Sequence, residues 1–142
     1  MELIRCVYSS AANNPAMGET ELESLLNISR RNNAELGITG MLLFHKGSFF
    51  QILEGERAKV EALYSKIELD DRHRRLTKIV VEPIVQRDFS HWSMGYPKVT
   101  AAELARIPGL NDFFSEGSSF LQLEEGRVKK LLAAFRDGRW HS

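Results

Sequence analysis

The chain has 142 residues, 43% of them apolar and 27% charged; that is one domain's worth of an ordinary globular composition. Nineteen Lys and Arg against nineteen Asp and Glu leave no formal net charge. This excludes a binder driven by phosphate attraction, and no apolar run approaches the ~18 residues that a bilayer span needs. The start, Met1-Glu-Leu-Ile-Arg-Cys, lacks the pattern of a signal peptide, and the single Cys6 allows neither an internal disulfide nor a Cys-based zinc site. A cytoplasmic protein without nucleic-acid or membrane partners is expected.

Ile4, Cys6 and Tyr8 alternate, which predicts a strand over about Leu3 to Ser9. A turn follows through Asn13-Asn14-Pro15 and Gly18. Thr20 with Glu23 then reads as a capping box opening a helix that runs to about Glu35 and ends at Gly37. From Gly40 to His45 both alternating sets of positions are apolar, which predicts a strand covered on both faces and therefore central in its sheet. A tight turn at His45-Lys46-Gly47-Ser48 leads into a returning strand, Phe49 to Leu53, as a hairpin. Val60, Leu63, Tyr64 and Ile67 form the stripe of a second amphipathic helix, closed by the polar run Asp70 to Arg75. Leu76 to Val85 reads as a strand in which Pro83 marks an edge or a bulge, and Phe89 to Tyr96 holds a last short strand.

This order predicts an α+β fold over residues 1–98, a ferredoxin-like βαββαββ sandwich with two helices on one face of a mixed sheet. Residues 99–142 read as a C-terminal helical extension. Thr100 and Glu103 cap a short helix stopped by Pro108-Gly109, a Ser- and Gly-rich joint follows, and Val128, Leu131, Leu132 and Phe135 form the stripe of a final helix. Such a stripe must be covered by the open face of the sheet or by another chain.

Motifs for phosphate loops, dinucleotide binding, serine nucleophile elbows and metal ligation are missing, and the four histidines are scattered. A few polar residues stand where apolar ones belong. On the first helix Leu22, Leu25 and Leu26 define the inward stripe; Ser29 and Asn33 continue it, with Asn32 on its flank. Gln51 shares a strand face with Phe49 and Leu53, and Tyr8 shares one with Ile4 and Cys6. A buried amide without a partner costs about 1–3 kcal/mol. These groups therefore bond one another, or they bond a planar ligand with carbonyl and N–H edges slotted between the first helix and the sheet. Trp92 and Met94 share a face if their segment is extended, and Asp70, Arg72 and His73 stand at a solvated helix end, where cations suit the dipole.

The strings Val7-Tyr8-Ser9-Ser10, Asn32-Asn33, Gly37-Ile-Thr-Gly-Met-Leu-Leu, Phe49-Phe-Gln-Ile-Leu-Glu-Gly, Asp70-Asp-Arg-His and Phe89-Ser-His-Trp-Ser-Met occur in this order. Together they resemble the BLUF family of flavin-binding blue-light sensors over roughly residues 1–98. The resemblance implies a flavin, usually FAD with FMN or riboflavin as alternatives, held between the two helices. It implies that Tyr8 is the photochemical electron and proton donor and that Gln51 is the amide between that phenol and the flavin. Asn33 would bond the ring's carbonyl and N–H edge, with Asn32 beside it and Ser29 lining the pocket. Asp70, Arg72 and His73 match positions near the ring or the ribityl-phosphate chain. Trp92 and Met94 match the mobile pair associated with signalling, so the site is photochemical rather than enzymatic.

With no output enzyme expected within the chain, the signal would pass through the C-terminal helices to a separate effector protein. A surface on Leu131, Leu132 and Phe135 would be the handle, and the assembly a homodimer or a higher homo-oligomer. Two other readings compete. A ferredoxin-like hydrolase that grips phosphate needs an arginine in the loop Ser9 to Gly18, and none is there. A colourless interaction module would have Tyr8, Asn33 and Gln51 bonding only each other.

Overall fold

The structure is a computed structural model, described here for residues 2–12, 19–45, 47–69, 73–89 and 125–136. The chain forms β1 (Leu3–Ala12), α1 (Glu19–Leu36), β2 (Thr39–His45), β3 (Ser48–Glu56), α2 (Arg57–Glu68), β4 (His73–Ile84) and a C-terminal helix, α3 (Glu125–Arg136). The strands make a four-stranded sheet in the order β2-β3-β1-β4. The fifth strand of the expected mixed sheet lies outside the described residues, and every pairing among the four described strands is antiparallel. The split connectivity explains this: β3 lies between β1 and β2, and β1 lies between β3 and β4, so neither helical crossover joins sheet neighbours.

Local signals place most elements. Gly37 takes φ +66°, a conformation that suits glycine. It closes α1 with the Gly37 N–H donating to Ala34 O at 3.4 Å and the Ile38 N–H donating to Asn33 O at 2.9 Å, the paired bonds of a Schellman ending. Gly47 (φ +71°) turns the β2–β3 hairpin, in which His45 faces Ser48. Helix α1 begins at Glu19, so Thr20 lies within its first turn and is not the cap that the capping box implied. Pro83 falls on β4, an outer strand among the four described, which suits its missing N–H, and the β1–β4 register slips between Val7 and Tyr8 and again between Ser9 and Ala11.

Among the four described strands β2 stands at one end of the sheet rather than in its middle. Met41, Leu42 and Leu43 are nonetheless all buried, because both faces of the sheet are covered and continuous apolarity reports coverage, not a central position. One face carries the main core, in which Ile4, Cys6, Tyr8, Leu42, Phe49 and Leu53 meet Leu22 and Leu26 of α1 and Val60, Leu63 and Tyr64 of α2. On the opposite face Val7, Met41, Leu43, Phe50 and Ile52 are buried as well.

Helix α3 lies against β4, and its stripe is covered within the chain: Leu131 is 0% and Leu132 7% exposed. The exposed handle expected on those two leucines is therefore absent, because packing on the protein's own sheet removes that apolar surface from water. The side chain of Phe135, the fifth strand expected beyond Phe89, the short helix from Thr100 and the boundary near residue 98 lie outside the described residues. No helix among the described residues is long and apolar enough to cross a membrane.

Candidate functional site

The register of β1 on β3 sets Tyr8 directly opposite Gln51, and the register of β2 on β3 sets Gln51 opposite Leu42. Opposed side chains on one sheet face stand with Cβ atoms about 4.5–5.5 Å apart. A phenol, an amide and an apolar wall thus form one row across the helix-covered face. Asn33 reaches the same space from the last turn of α1, where the Schellman bonds anchor its carbonyl. All three polar residues are shielded from water: Tyr8 is 1%, Asn33 1% and Gln51 7% exposed, and the Tyr8 hydroxyl itself is buried.

These residues line one cavity that is open to solvent at its mouth. Its walls are Leu25, Ile28, Leu42, Phe49, Leu63 and Ile67; Ser29, Asn32 and Lys66 complete the lining. The cavity is a slot between α1 and α2 with the sheet as its floor, apolar on its sides and polar at one depth. A flat aromatic ring system with hydrogen-bonding groups along one edge matches that distribution, since apolar walls cover its faces and a few placed polar groups fix its orientation. The residues therefore fit a flavin.

Behind Tyr8 the environment is aromatic and tightly held. Its ring meets Tyr64 edge-on, with centroids 5.3 Å apart and planes at 85°, and the Lys78 ammonium sits 4.5 Å above the Tyr64 ring. Burial, with smaller contributions from Cys6 and Glu68, pushes the Tyr64 phenol up to about 12. Burial likewise raises the Cys6 thiol to about 11, against a smaller opposing pull from Lys78. Both groups stay neutral at physiological pH.

The opposite face of β3 holds a buried charge cluster. Glu54 accepts from Arg5 Nε (3.0 Å) and Nη2 (2.8 Å) and from the main-chain N–H groups of Asp88 (3.2 Å) and Phe89 (2.9 Å). Arg5 also donates to Glu82 at 3.0 Å and to Asp88 at 2.5 Å. Burial acts most strongly on Arg5 and opposes its charge, but the combined pull of Glu54, Asp88 and Glu82 leaves its pKa above the ordinary value. Arg87 adds bonds to Thr39 Oγ1 and to the Glu54 carbonyl oxygen, both at 3.1 Å. The chain that leaves β4 is thus bound to β3 through Glu54.

The structure brings together Tyr8, Ser29, Asn32, Asn33 and Gln51 from the expected set. His73 opens β4 opposite Ala12. Its side chain, along with Asp70, Arg72, Trp92 and Met94, lies outside the described residues. Lys66 was missed: a lysine in the last turn of a helix reads as a dipole partner, and nothing in its spacing tells that it borders a cavity. Leu63 and Ile67 were legible only as a core stripe. Among the described residues no cluster of His, Cys, Asp or Glu could hold a metal.

The geometry is that of a ferredoxin-like sheet carrying a slot whose apolar walls and few polar groups suit a flat small molecule. A family model described as BLUF, sensors of blue light using FAD, matches residues 3–95. The chain belongs to the BLUF family of flavin-binding blue-light sensors. It is 36% identical over 124 residues to photoactivated adenylate cyclase subunit beta of Euglena longa, a match covering 86% of this chain and 14% of the relative. It is 31% identical over 103 residues to the blue light- and temperature-regulated antirepressor BluF of Escherichia coli K12, covering 72% and 25% of the two chains. The chain thus spans only a small part of these curated relatives. Among solved structures, BlsA in its photo-activated state superimposes with a TM-score of 0.82 at 28% identity over 99% of both chains. The dark state of BlrB, a BLUF protein, superimposes with a TM-score of 0.79 at 30% identity over 96% of both.

Proposed function

We propose that Tyr8, Gln51 and Asn33 are the photochemical and ring-binding residues of this sensor. The observation that carries the reading is the placement of Tyr8 opposite Gln51 on the floor of a slot into which the buried Asn33 also reaches. When bound, the flavin supplies blue-light absorption and a strongly oxidising excited state. Tyr8 is the electron and proton donor: a phenol with a pKa of roughly 10 gives up an electron readily only if its proton can leave as well. The Gln51 amide has a donor end and an acceptor end, so it carries that proton and then reorients. Asn33 has the same pair of ends, which suits a ring edge that alternates carbonyl and N–H. Ser29 and Asn32 hold the mouth of the slot, and Asp70, Arg72 and His73 are assigned to the ring margin or the phosphate chain.

The result is a changed hydrogen-bond arrangement with no chemical turnover, which biases a nearby two-state element. Gln51 and Glu54 share β3, and Glu54 holds the chain at Asp88 and Phe89, so the reading sends the signal to the Trp92–Met94 stretch and on to the way α3 packs. FAD is the flavin of the reading, in line with the family's description; a related structure, BlrP1 of Klebsiella pneumoniae, was solved with FMN. The output is a contact with a separate effector protein, in a cytoplasmic setting, by a homodimer. The exposed Val81 on β4 and Val85 just after it offer an apolar margin for that pairing.

Absorption spectra before and after blue light test the assignment. The wild-type chain shows a yellow flavin band that shifts on illumination and recovers in the dark. Tyr8→Phe and Gln51→Leu keep the band and lose the normal shift. A Tyr8→Phe chain that shifts like wild type removes the donor role, and a colourless wild-type preparation that takes up no added flavin removes the reading as a whole.

A further inference from the structure

We propose that Lys78 is a positioning residue for the photochemistry, whose ammonium over the Tyr64 ring keeps the oxidised state on Tyr8 and out of Tyr64. The inference rests on the reading of Tyr8 as the donor and goes beyond it. The ring packed edge-on against Tyr8, with centroids 5.3 Å apart, is a second phenol. Aromatic rings at that spacing are in van der Waals contact, close enough for an electron to cross between them. The two side chains share one chemistry and one reference pKa of roughly 10, so Tyr64 is a ready donor to an oxidised Tyr8. In that side step Tyr64 gives up one electron and one proton. Tyr8 takes up one of each and is a closed-shell phenol again, and Tyr64 is left as the neutral phenoxyl. The hole then sits outside the Tyr8–Gln51 pair, and the return of the electron no longer involves the Gln51 amide.

Lys78 is placed to oppose that step. The β1–β4 register sets it opposite Tyr8, which extends the row of Leu42, Gln51 and Tyr8 by one strand. Its ammonium sits 4.5 Å from the centre of the Tyr64 ring, within the roughly 6 Å over which a ring face attracts a cation. That attraction depends on the electron density of the neutral ring. Once Tyr64 begins to lose an electron, the contact becomes a repulsion between two positive charges. Tyr8 has the Gln51 amide opposite it to take its proton, so its oxidised form is neutral and feels the ammonium little. Burial pushes the Tyr64 phenol up to about 12, so its oxidation begins on a ring that keeps its proton beneath the ammonium. The bland account is that Lys78 covers an aromatic ring and adds to stability. That role does not depend on whether the ring carries a hydroxyl.

The test combines a yield with a radical signature. The full-length chain is loaded with FAD, and the yield of the shifted absorption band per absorbed photon is measured. Samples frozen under illumination are read by electron paramagnetic resonance. Lys78→Met, which keeps the length of the side chain and removes its charge, lowers the yield roughly two- to fivefold, the size of one cation–π contact at an exposed side chain. It also accumulates a phenoxyl signal that wild type lacks. Lys78→Arg keeps the wild-type yield, and Tyr64→Phe alone behaves as wild type. The double variant Lys78→Met with Tyr64→Phe regains the yield and loses the phenoxyl signal. A Lys78→Met protein with wild-type yield and no phenoxyl signal overturns the proposal. So does a lowered yield that Tyr64→Phe does not restore, which leaves Lys78 a packing residue. A Tyr8→Phe chain that shifts like wild type is a different result: it removes the donor reading itself, and the proposal with it.

Discussion

Glu54→Ala is the sharpest test of how the sheet's second face is held. The substitution strips the acceptor from two Arg5 N–H groups at 3.0 and 2.8 Å and from the main-chain N–H groups of Asp88 and Phe89 at 3.2 and 2.9 Å. Removing one partner of a buried ion pair costs about 3–5 kcal/mol. Arg5 keeps Glu82 and Asp88, which places the cost at the lower end of that range. The buried Phe89 N–H left without an acceptor adds about 1–3 kcal/mol. A total near 4–6 kcal/mol is a large part of the roughly 5–15 kcal/mol that holds such a domain. It corresponds to a melting temperature lower by on the order of 10–20 °C. Glu54→Gln retains a carbonyl acceptor and loses about 1–3 kcal/mol. Glu82→Gln, at a side chain 35% exposed, loses less than about 1 kcal/mol because water screens that pair. Urea unfolding followed by far-ultraviolet circular dichroism orders the three variants. A Glu54→Ala protein within about 1 kcal/mol of wild type, or a Glu82→Gln protein as unstable as Glu54→Ala, refutes the assignment of Glu54 as the hub.

Three further outcomes follow from the same geometry. A Cβ on Gly40 would stand 1.8 Å from the Ile52 carbonyl oxygen, and backbone cannot yield that far, so Gly40→Ala parts β2 from β3 and costs at least about 3 kcal/mol by thermal melting. Because the folded chain raises the Cys6 thiol from 9.0 to about 11, the native state keeps a proton that the unfolded chain loses, and stability falls as pH rises above 9. The loss is about 1.4 kcal/mol near pH 10 and approaches about 3 kcal/mol beyond pH 11. Stability measured between pH 8.5 and 9.5, where Tyr64, raised from 10.0 to about 12, adds only a small part of the trend, should slope less in Cys6→Ala, and equal slopes would count against the buried thiol as the cause. Asn33→Ala should lower flavin retention about tenfold, read from the bound absorption band, with secondary structure unchanged.

Much of this protein is written in its local pattern. The two-residue alternation around Tyr8 and Gln51 and the helical period that carries Ser29 and Asn33 inward follow from side-chain direction alone. For that reason the polar side chains that interrupt the apolar faces could be picked out before any pairing was known. The turns at Gly37 and Gly47 were legible because few other residues accept a positive φ.

What periodicity cannot convey is which face meets which. That Tyr8 stands opposite Gln51, that β1 separates β3 from β4, and that β2 is outermost among the described strands are matters of long-range pairing. A strand's alternation names its two faces without naming its neighbour. Arg5 and Glu54 read as ordinary charged residues until the register sets them side by side on the covered face. Lys66 reads as a helix-end cation until α1 and the sheet close a cavity beside it. The stripe of α3 called for a cover, and only the folded chain showed that its own sheet supplies it. Local sterics and hydrophobic period determined the elements and their inward residues. Partners depend on the whole chain closing at once, so tertiary structure alone decided them.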